Sequence, residues 1–364
     1  MNPMSPQQLR PSPAVLVGVP PRPKPPHVPD TVRGRDIEAV WDQVVGPMSG
    51  DGSGDPEDWA ENAARLHAAV AAFGLSRTWA TVFEPGNVRT VRGAGTPSLT
   101  PETAVVYGQW PTTHPLGFLD AADPANHYHR LDAFNRAAGR ATAVLTVGDP
   151  EEEDLERAAA YPQETEALGT FHALGVEHAL LKRVGRKLPL APVDVTTAVY
   201  DPRSLRYSDT VLYDDLGRPG AFLLQERITM RWEYRVFIVD HRTVTGAGCI
   251  EEFTPLQSTG LGFDTRVRED RAAHSPIVRR PLEVAQMIEH AADVASQLTE
   301  EKPEMADYII DLAIADDGRP VVIELNGLLN AGLYATDPLL VTQAMAARPG
   351  SARPVGTRPH TWSS

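Results

Sequence analysis

The sequence predicts an α/β (α+β) protein assembled from more than one unit. Three observations carry this. Two β-rich runs, Tyr308–Ala315 and Pro320–Leu325, flank Asp317-Gly318, the pattern of a short hairpin. Residues 55–107 place one well-marked helix before two strands, an alternation that suits a small α/β domain. The chain has 364 residues, long for a single core, so two or three subdomains are expected.

Composition narrows the function classes. With 34 Lys and Arg against 48 Asp and Glu, the formal net charge is −14. A broad nucleic-acid surface is excluded by that balance, while a local basic cleft for phosphates is not. The single cysteine, Cys249, forms no intrachain disulfide and lies in an apolar run, as a structural thiol does. No run approaches a membrane span in length, so no membrane partner and a cytoplasmic location are expected.

Taken in order, residues 1–29 are proline-rich and read as a disordered tail, and residues 346–364 as a second one. Residues 30–150 read as the N-terminal α/β unit. Asp36–Val45 has helical spacing. Asp55-Pro56, followed by Glu57 and Asp58, is a helix start, with Trp59, Ala63, Leu66, Val70 and Phe73 on one face and Gly74 closing it. Thr78–Phe83 and Thr103–Tyr107 read as strands. Arg92, Gln109 and His114 lie near strand ends and are weak substrate candidates. His127 and His129 have no further metal partner at suitable spacing and read as solvated.

Residues 151–345 read as the second, larger region. Glu164–Gly175 is a helix and His178–Val184 a strand that carries Lys182, with Lys187 on the loop after Gly185. A strand lysine and a loop lysine suit successive phosphates as point charges. Ala221–Ile228 is an apolar strand whose end, with Gln225 and Glu226, suits an adenine edge. In Trp232–Val239, Glu233, Arg235, Phe237 and Val239 share one face, while Trp232, Tyr234, Val236 and Ile238 share the other. Thr243–Ile250 returns as the second strand of a hairpin. Arg266, Arg268, Arg279 and Arg280 add local positive charge, and Pro281–Leu298 reads as an amphipathic helix.

The hairpin at 308–325 holds the most specific chemistry. With Asp317 and Gly318 as its two loop residues, Asp316 pairs with Arg319 and Asp311 faces Glu324. Asn326 follows on the same face, and Leu312, Ile323 and Leu325 point into a core. Two carboxylates opposed on a sheet repel each other unless a cation lies between them. Two carboxylates and an amide oxygen suit Mg²⁺, which takes its remaining ligands from water and phosphates.

The spacing from Asp311 to IELNGLLNAGLY resembles the metal-binding end of the ATP-grasp superfamily. The order Lys182, Lys187, Gln225-Glu226, Glu233, Asp311, Glu324-x-Asn326 extends that resemblance over residues 175–334. WEYRVFIVD is similar to a sub-clade named for one arginine and two lysines. The resemblance implies an ATP-grasp fold behind a small α/β domain, with ATP and Mg²⁺ as cofactors. It implies metal ligands at Asp311, Glu324 and Asn326, phosphate contacts at Lys182 and Lys187, a ribose contact at Glu233, and a phosphate or acyl-phosphate contact at Arg235. The implied activity is carboxylate–amine ligation through an acyl phosphate, with small-molecule or peptide carboxylate and amine substrates. A phosphotransferase and a non-catalytic MgATP-binding scaffold are the alternatives. The loop between Lys182 and Lys187 lacks the multiple glycines of many relatives.

Overall fold

The computed structural model describes residues 14–19, 32–45, 55–84, 87–91, 104–108, 123–147, 162–184, 191–201, 220–270, 274–328 and 331–347. Three four-stranded sheets organise them. In the first, β1 (Ala14–Val19) lies parallel between β2 (Thr78–Glu84) and β4 (Ala104–Gly108), and β3 (Asn87–Val91) pairs antiparallel with β2. Ala14–Val19 therefore leaves the tail to which the proline-rich composition assigned it. Its apolar run forms an inner strand, and Val17 and Val19 are completely buried. The rest of residues 1–29, and residues 348–364, lie outside the described residues.

Helices α1 (Val32–Val44) and α2 (Pro56–Phe73) cover this sheet. Asp55 caps α2 as expected, accepting from the Glu57 and Asp58 amides at 2.8 and 3.4 Å. Gly74 closes the helix with a positive φ of 86°, which suits a residue without Cβ. Trp41 and Trp59 meet edge to face, with ring centroids 5.5 Å apart, in the core between the two helices.

The second sheet is antiparallel, in the order β5 (Thr142–Val147), β8 (Gly220–Glu226), β6 (His178–Arg183), β7 (Ala191–Asp194). The boundary expected at residue 150 thus cuts β5 from its own sheet. Periodicity within one strand does not reveal its partner, and here the partner is β8. Helix α3 (Asp132–Ala137) precedes β5, and α4 (Pro162–Ala173) and α5 (Val195–Ala198) close one face of the sheet over Leu181, Phe222 and Leu224.

The third sheet runs β10 (Arg242–Gly248), β9 (Met230–Val239), β13 (Tyr308–Ala315), β14 (Pro320–Asn326). A two-stranded ribbon, β11 (Arg266–Arg268) with β12 (Ile277–Arg279), lies beside it. Helix α6 (Pro281–Glu301) packs Val284, Met287, Ala291, Val294 and Leu298 against Val236, Ile238, Ile310 and Leu312. Helix α7 (Pro338–Ala346) returns to the first unit, where Val341 and Met345 share a core with Trp59 and Leu66. Phe237, Val239 and Ile309 join that same core from the third sheet, so apolar packing is continuous between the two regions.

The β13–β14 turn differs from its expected form. Its loop has three residues, since Ala315 N donates to Arg319 O and Gly318 N to Ala315 O, both at 2.9 Å, with Gly318 at φ 83°. Near the turn Leu312 pairs with Val322; one step on, Asp311 pairs with Glu324. Ile323 is the extra residue of a β-bulge. It turns from the Leu312–Leu325 face to join Ala313, Ala315 and Val321 in a separate small cluster. The expected pairing of Asp311 with Glu324 is met because the bulge offsets the longer loop.

Pro124–Arg130 is a 3-10 segment, and His129 is 2% exposed rather than solvated. Burial, then Arg130 and His127, lower its pKa to about 4. The sign follows directly: an unfolded His takes a proton near pH 6.5, before the folded one does. Stability contributed by neutral His129 is therefore present above about pH 6.5 and is lost as pH falls towards about 4. Urea midpoints measured from pH 7 to 4 should fall more steeply for wild type than for His129→Leu.

Gly246 marks a close approach in β10. A methyl group there would lie 2.7 Å from both Arg235 O and Tyr234 Cε1. Gly246→Ala is expected to cost about 1–3 kcal/mol through overpacking, measurable by chemical denaturation.

Candidate functional site

The site grows from one row across the third sheet. Arg235 of β9 faces Asp311 of β13, and Asp311 faces Glu324 of β14. Each strand alternates its side chains, so three residues in register emerge on one face. Arg235 donates from Nε to Asp311 Oδ1 and from Nη2 to Asp311 Oδ2, both at 2.7 Å. Its Nη1 donates to the Gly332 carbonyl at 2.7 Å, and Tyr334 lies under the guanidinium at 4.9 Å. The side chains of Arg235 and Asp311 are 8% and 2% exposed. Burial opposes the charge on Arg235, but the Asp311 carboxylate prevails and raises its pKa further.

Glu324 is held from two directions. Lys182 Nζ of β6 donates to its Oε2 at 3.1 Å, and Asn326 Nδ2 donates to its Oε1 at 3.2 Å. Burial raises the Glu324 pKa, yet Lys182 and Asn326 outweigh it and keep the carboxyl below its usual range. Burial lowers the Lys182 pKa despite Glu324 beside it. Lys182 also sits 5.0 Å from the ring centre of Tyr128. The lysine thus crosses from the second sheet to the third, and the site lies where the two meet.

The residues present fit a hard divalent cation. Asn326 Nδ2 also donates to Asp311 Oδ2 at 3.0 Å, so a partial positive charge stands between the two carboxylates. Rotating that amide would present its oxygen beside them instead. Among the described residues no group of three His, Cys, Asp or Glu side chains forms a metal cage. Two carboxylates and an amide match an ion that takes other ligands from phosphate and water.

Gln225 and Glu226 are placed differently from expectation. Strand β8 is bonded on both edges, to β5 and β6, and Arg227 N donates to His178 O. Its backbone up to Arg227 is therefore committed within the sheet, because β8 is an inner strand. Gln225 Oε1 accepts from Arg140 Nη2 at 3.1 Å, and Glu226 Oε2 accepts from Ala141 N at 3.1 Å. Glu233 lies half-buried on the Arg235 face of β9, and its carbonyl accepts from Cys249 N. Lys187, Arg92, Gln109 and His114 fall outside the described residues.

The other candidates have settled roles. Burial, then Glu233 and Asp311, raise the Cys249 pKa well above the usual thiol range, which disfavours a thiolate nucleophile. Arg266 pairs with Asp264, Arg268 with Glu252 and Arg280 with Glu269. Sequence reasoning missed Tyr128, Arg140 and Tyr334, which touch Lys182, Gln225 and Arg235. Tyr334 stood within the quoted motif, whereas Tyr128 and Arg140 carried no local signal.

Residues 194–344 match the model of an ATP-grasp domain family, the second family of the clade named for one arginine and two lysines. No curated protein gives a significant match. Among solved structures, D-cycloserine synthetase DcsG aligns with a TM-score of 0.48 and 14% identity, over 92% of this chain and 99% of that one. D-alanine–D-alanine ligase from Bacillus anthracis aligns with a TM-score of 0.41 and 9% identity, over 92% and 98%. The macrocyclase MdnC from Microcystis aeruginosa, bound with precursor peptide MdnA, aligns with a TM-score of 0.40 and 12% identity, over 92% and 98%. No helix among the described residues is long and apolar enough to cross a membrane.

The Arg235–Asp311 pair makes a stability prediction. Asp311→Ala leaves a buried guanidinium without its carboxylate and should cost about 3–5 kcal/mol. The double variant Arg235→Met/Asp311→Leu removes both charges and should recover most of that loss. Urea unfolding of the three proteins checks both statements.

Proposed function

We propose that the chain is an ATP-dependent ligase joining a carboxylate to an amine, a reading supported by the match of residues 194–344 to the ATP-grasp domain family of the clade named for one arginine and two lysines. The observation that carries this reading is the chain of side chains Lys182–Glu324–Asn326–Asp311–Arg235, which spans the junction of two sheets. It combines two cations with a divalent-cation donor set, which is what an in-line transfer of a phosphoryl group requires.

In the proposed reaction the substrate carboxylate attacks the γ-phosphorus of ATP, ADP departs, and an acyl phosphate forms. The amine then attacks the acyl carbon, inorganic phosphate leaves, and the amine's proton goes to solvent or base. Mg²⁺ held by Asp311, Glu324 and Asn326 would neutralise phosphate charge. Lys182, which contacts Glu324 and Tyr128, is proposed to meet a phosphate, with Lys187 proposed as the second cation. Arg235 uses three of its five N–H groups on Asp311 and Gly332, and the other two are proposed to meet the transferring group. Glu233 is proposed for the ribose, and Gln225 and Glu226 act by shaping the adenine side of the cleft through Arg140 and Ala141. Small-molecule and peptide acids and amines are both candidate substrates.

Thermal stabilisation by a non-hydrolysable ATP analogue, with and without Mg²⁺, tests the nucleotide site. At about 100 times its dissociation constant the analogue should add roughly 2.7 kcal/mol to wild type. Glu324→Ala should lose the Mg²⁺-dependent part. No shift in wild type at saturating analogue would remove the basis for the ligase. Where binding is present, ADP release with a joined product separates ligation from simple phosphorylation of the acid.

A further inference from the structure

The first unit reaches the site through one helix. Glu61 and Arg65 lie one turn apart on α2, with Arg65 Nη2 3.8 Å from Glu61 Oε2. Their side chains are 16% and 2% exposed. Both turn toward the segment that follows the Glu324-x-Asn326 strand. Glu61 Oε1 accepts from Leu333 N at 2.7 Å and from Tyr334 N at 3.3 Å. Arg65 Nη2 donates to Ala331 O at 2.6 Å, and its Nη1 donates to Asn62 Oδ1 at 2.8 Å. Residues 331–334 are therefore gripped at both ends by one face of α2.

That segment holds Arg235. The Gly332 carbonyl accepts from Arg235 Nη1, and the Tyr334 ring stacks on the guanidinium. Tyr334 has a φ of 49°, a left-handed backbone that a tyrosine adopts at some cost and that the two Glu61 contacts support. A methyl group at Gly332 would lie 3.6 Å from both Arg235 Nη1 and Glu61 Oε1, so the carboxylate and the guanidinium flank one glycine. Arg235 in turn fixes both oxygens of Asp311.

We propose that Glu61 and Arg65 are positioning residues that set the orientation of Asp311 at the cation site, acting through segment 331–334 and Arg235. The proposal rests on the ATP-grasp reading of that site. Its physical basis is that of an outer partner orienting a metal ligand, where loss typically weakens metal affinity by about 10–100-fold. Loss of the Glu61 carboxylate would leave the N–H groups of fully buried Leu333 and of Tyr334 without their acceptor, letting the segment shift and carry Arg235 with it.

The test is the Mg²⁺ dependence of binding of a non-hydrolysable ATP analogue to the full chain, measured by calorimetry. In Glu61→Ala the Mg²⁺ concentration for half-maximal tightening should rise about tenfold, while analogue affinity without Mg²⁺ stays near that of wild type. Glu61→Gln keeps an acceptor oxygen and should recover most of the loss. A role in folding alone would lower stability without moving the Mg²⁺ midpoint. Arg65→Met releases the same segment from its other end and carries the same expectation should Glu61→Ala fail to fold. Wild-type midpoints in folded Glu61→Ala or Arg65→Met overturn the positioning role and leave the nucleotide site standing. Failure of wild type to bind the analogue with Mg²⁺ overturns the site reading, and this inference with it.

Discussion

The buried bond between Arg235 and Asp311 is the constraint around which the third sheet is built. Both side chains are almost wholly removed from water, so each depends on the other to offset its desolvation. The bidentate geometry leaves Asp311 little freedom to rotate. Asp311 lies on β13, between β9 and β14, and so presents its carboxylate to a cation on one side and a carboxylate on the other. The repulsion expected between Asp311 and Glu324 is relieved by Arg235, by the Asn326 amide and by Lys182. The site is a chain of alternating charge rather than a pair of bare acids.

A one-residue irregularity sets that chain in place. Had the register near the turn continued, Asp311 would face Ile323 and Glu324 would point to the opposite side. The bulge at Ile323 moves Glu324 to the Asp311 face and keeps Leu325 in the core. A single added residue thus decides whether two carboxylates meet, because side chains alternate with a period of two. The same bulged residue offers its carbonyl to Arg140 at 3.4 Å, which ties the hairpin to Gln225 on the second sheet.

The segment between the first and second sheets matters beyond linkage. Tyr128 and Phe134 meet at a tilt of 59° with ring centroids 4.5 Å apart and extend the core beneath β9 and β13. Tyr128 then presents its ring to Lys182, and Glu301 of α6 caps the start of α3 through the Asp132 and Ala133 amides. A lysine that would otherwise be a solvated point charge is thereby confined between an aromatic face and Glu324. Helix α2 does the corresponding work on the other flank, where it braces the segment beneath Arg235.

Much of this was legible in the sequence. Asp55 and Gly74 announce α2 because a cap and a left-handed terminus depend on adjacent residues. Alternation in β9 separates Arg235 from Tyr234, and the Asp-Gly turn brings Asp311 near Glu324, since both signals are local. The position of Ala14–Val19 inside a sheet, the ownership of β5 and the burial of His129 were not legible, because each depends on a partner supplied by distant chain. The site divides in the same way. Its acids, amide and cations were identifiable by type and order, which resemblance to a family can transmit. Which cation meets which acid was decided only on folding: Arg235 and Asp311 are 76 residues apart, and Lys182 and Glu324 are 142 apart. Their meeting is a matter of strand register and sheet packing, and those follow from the burial of whole faces rather than from any single stretch of sequence.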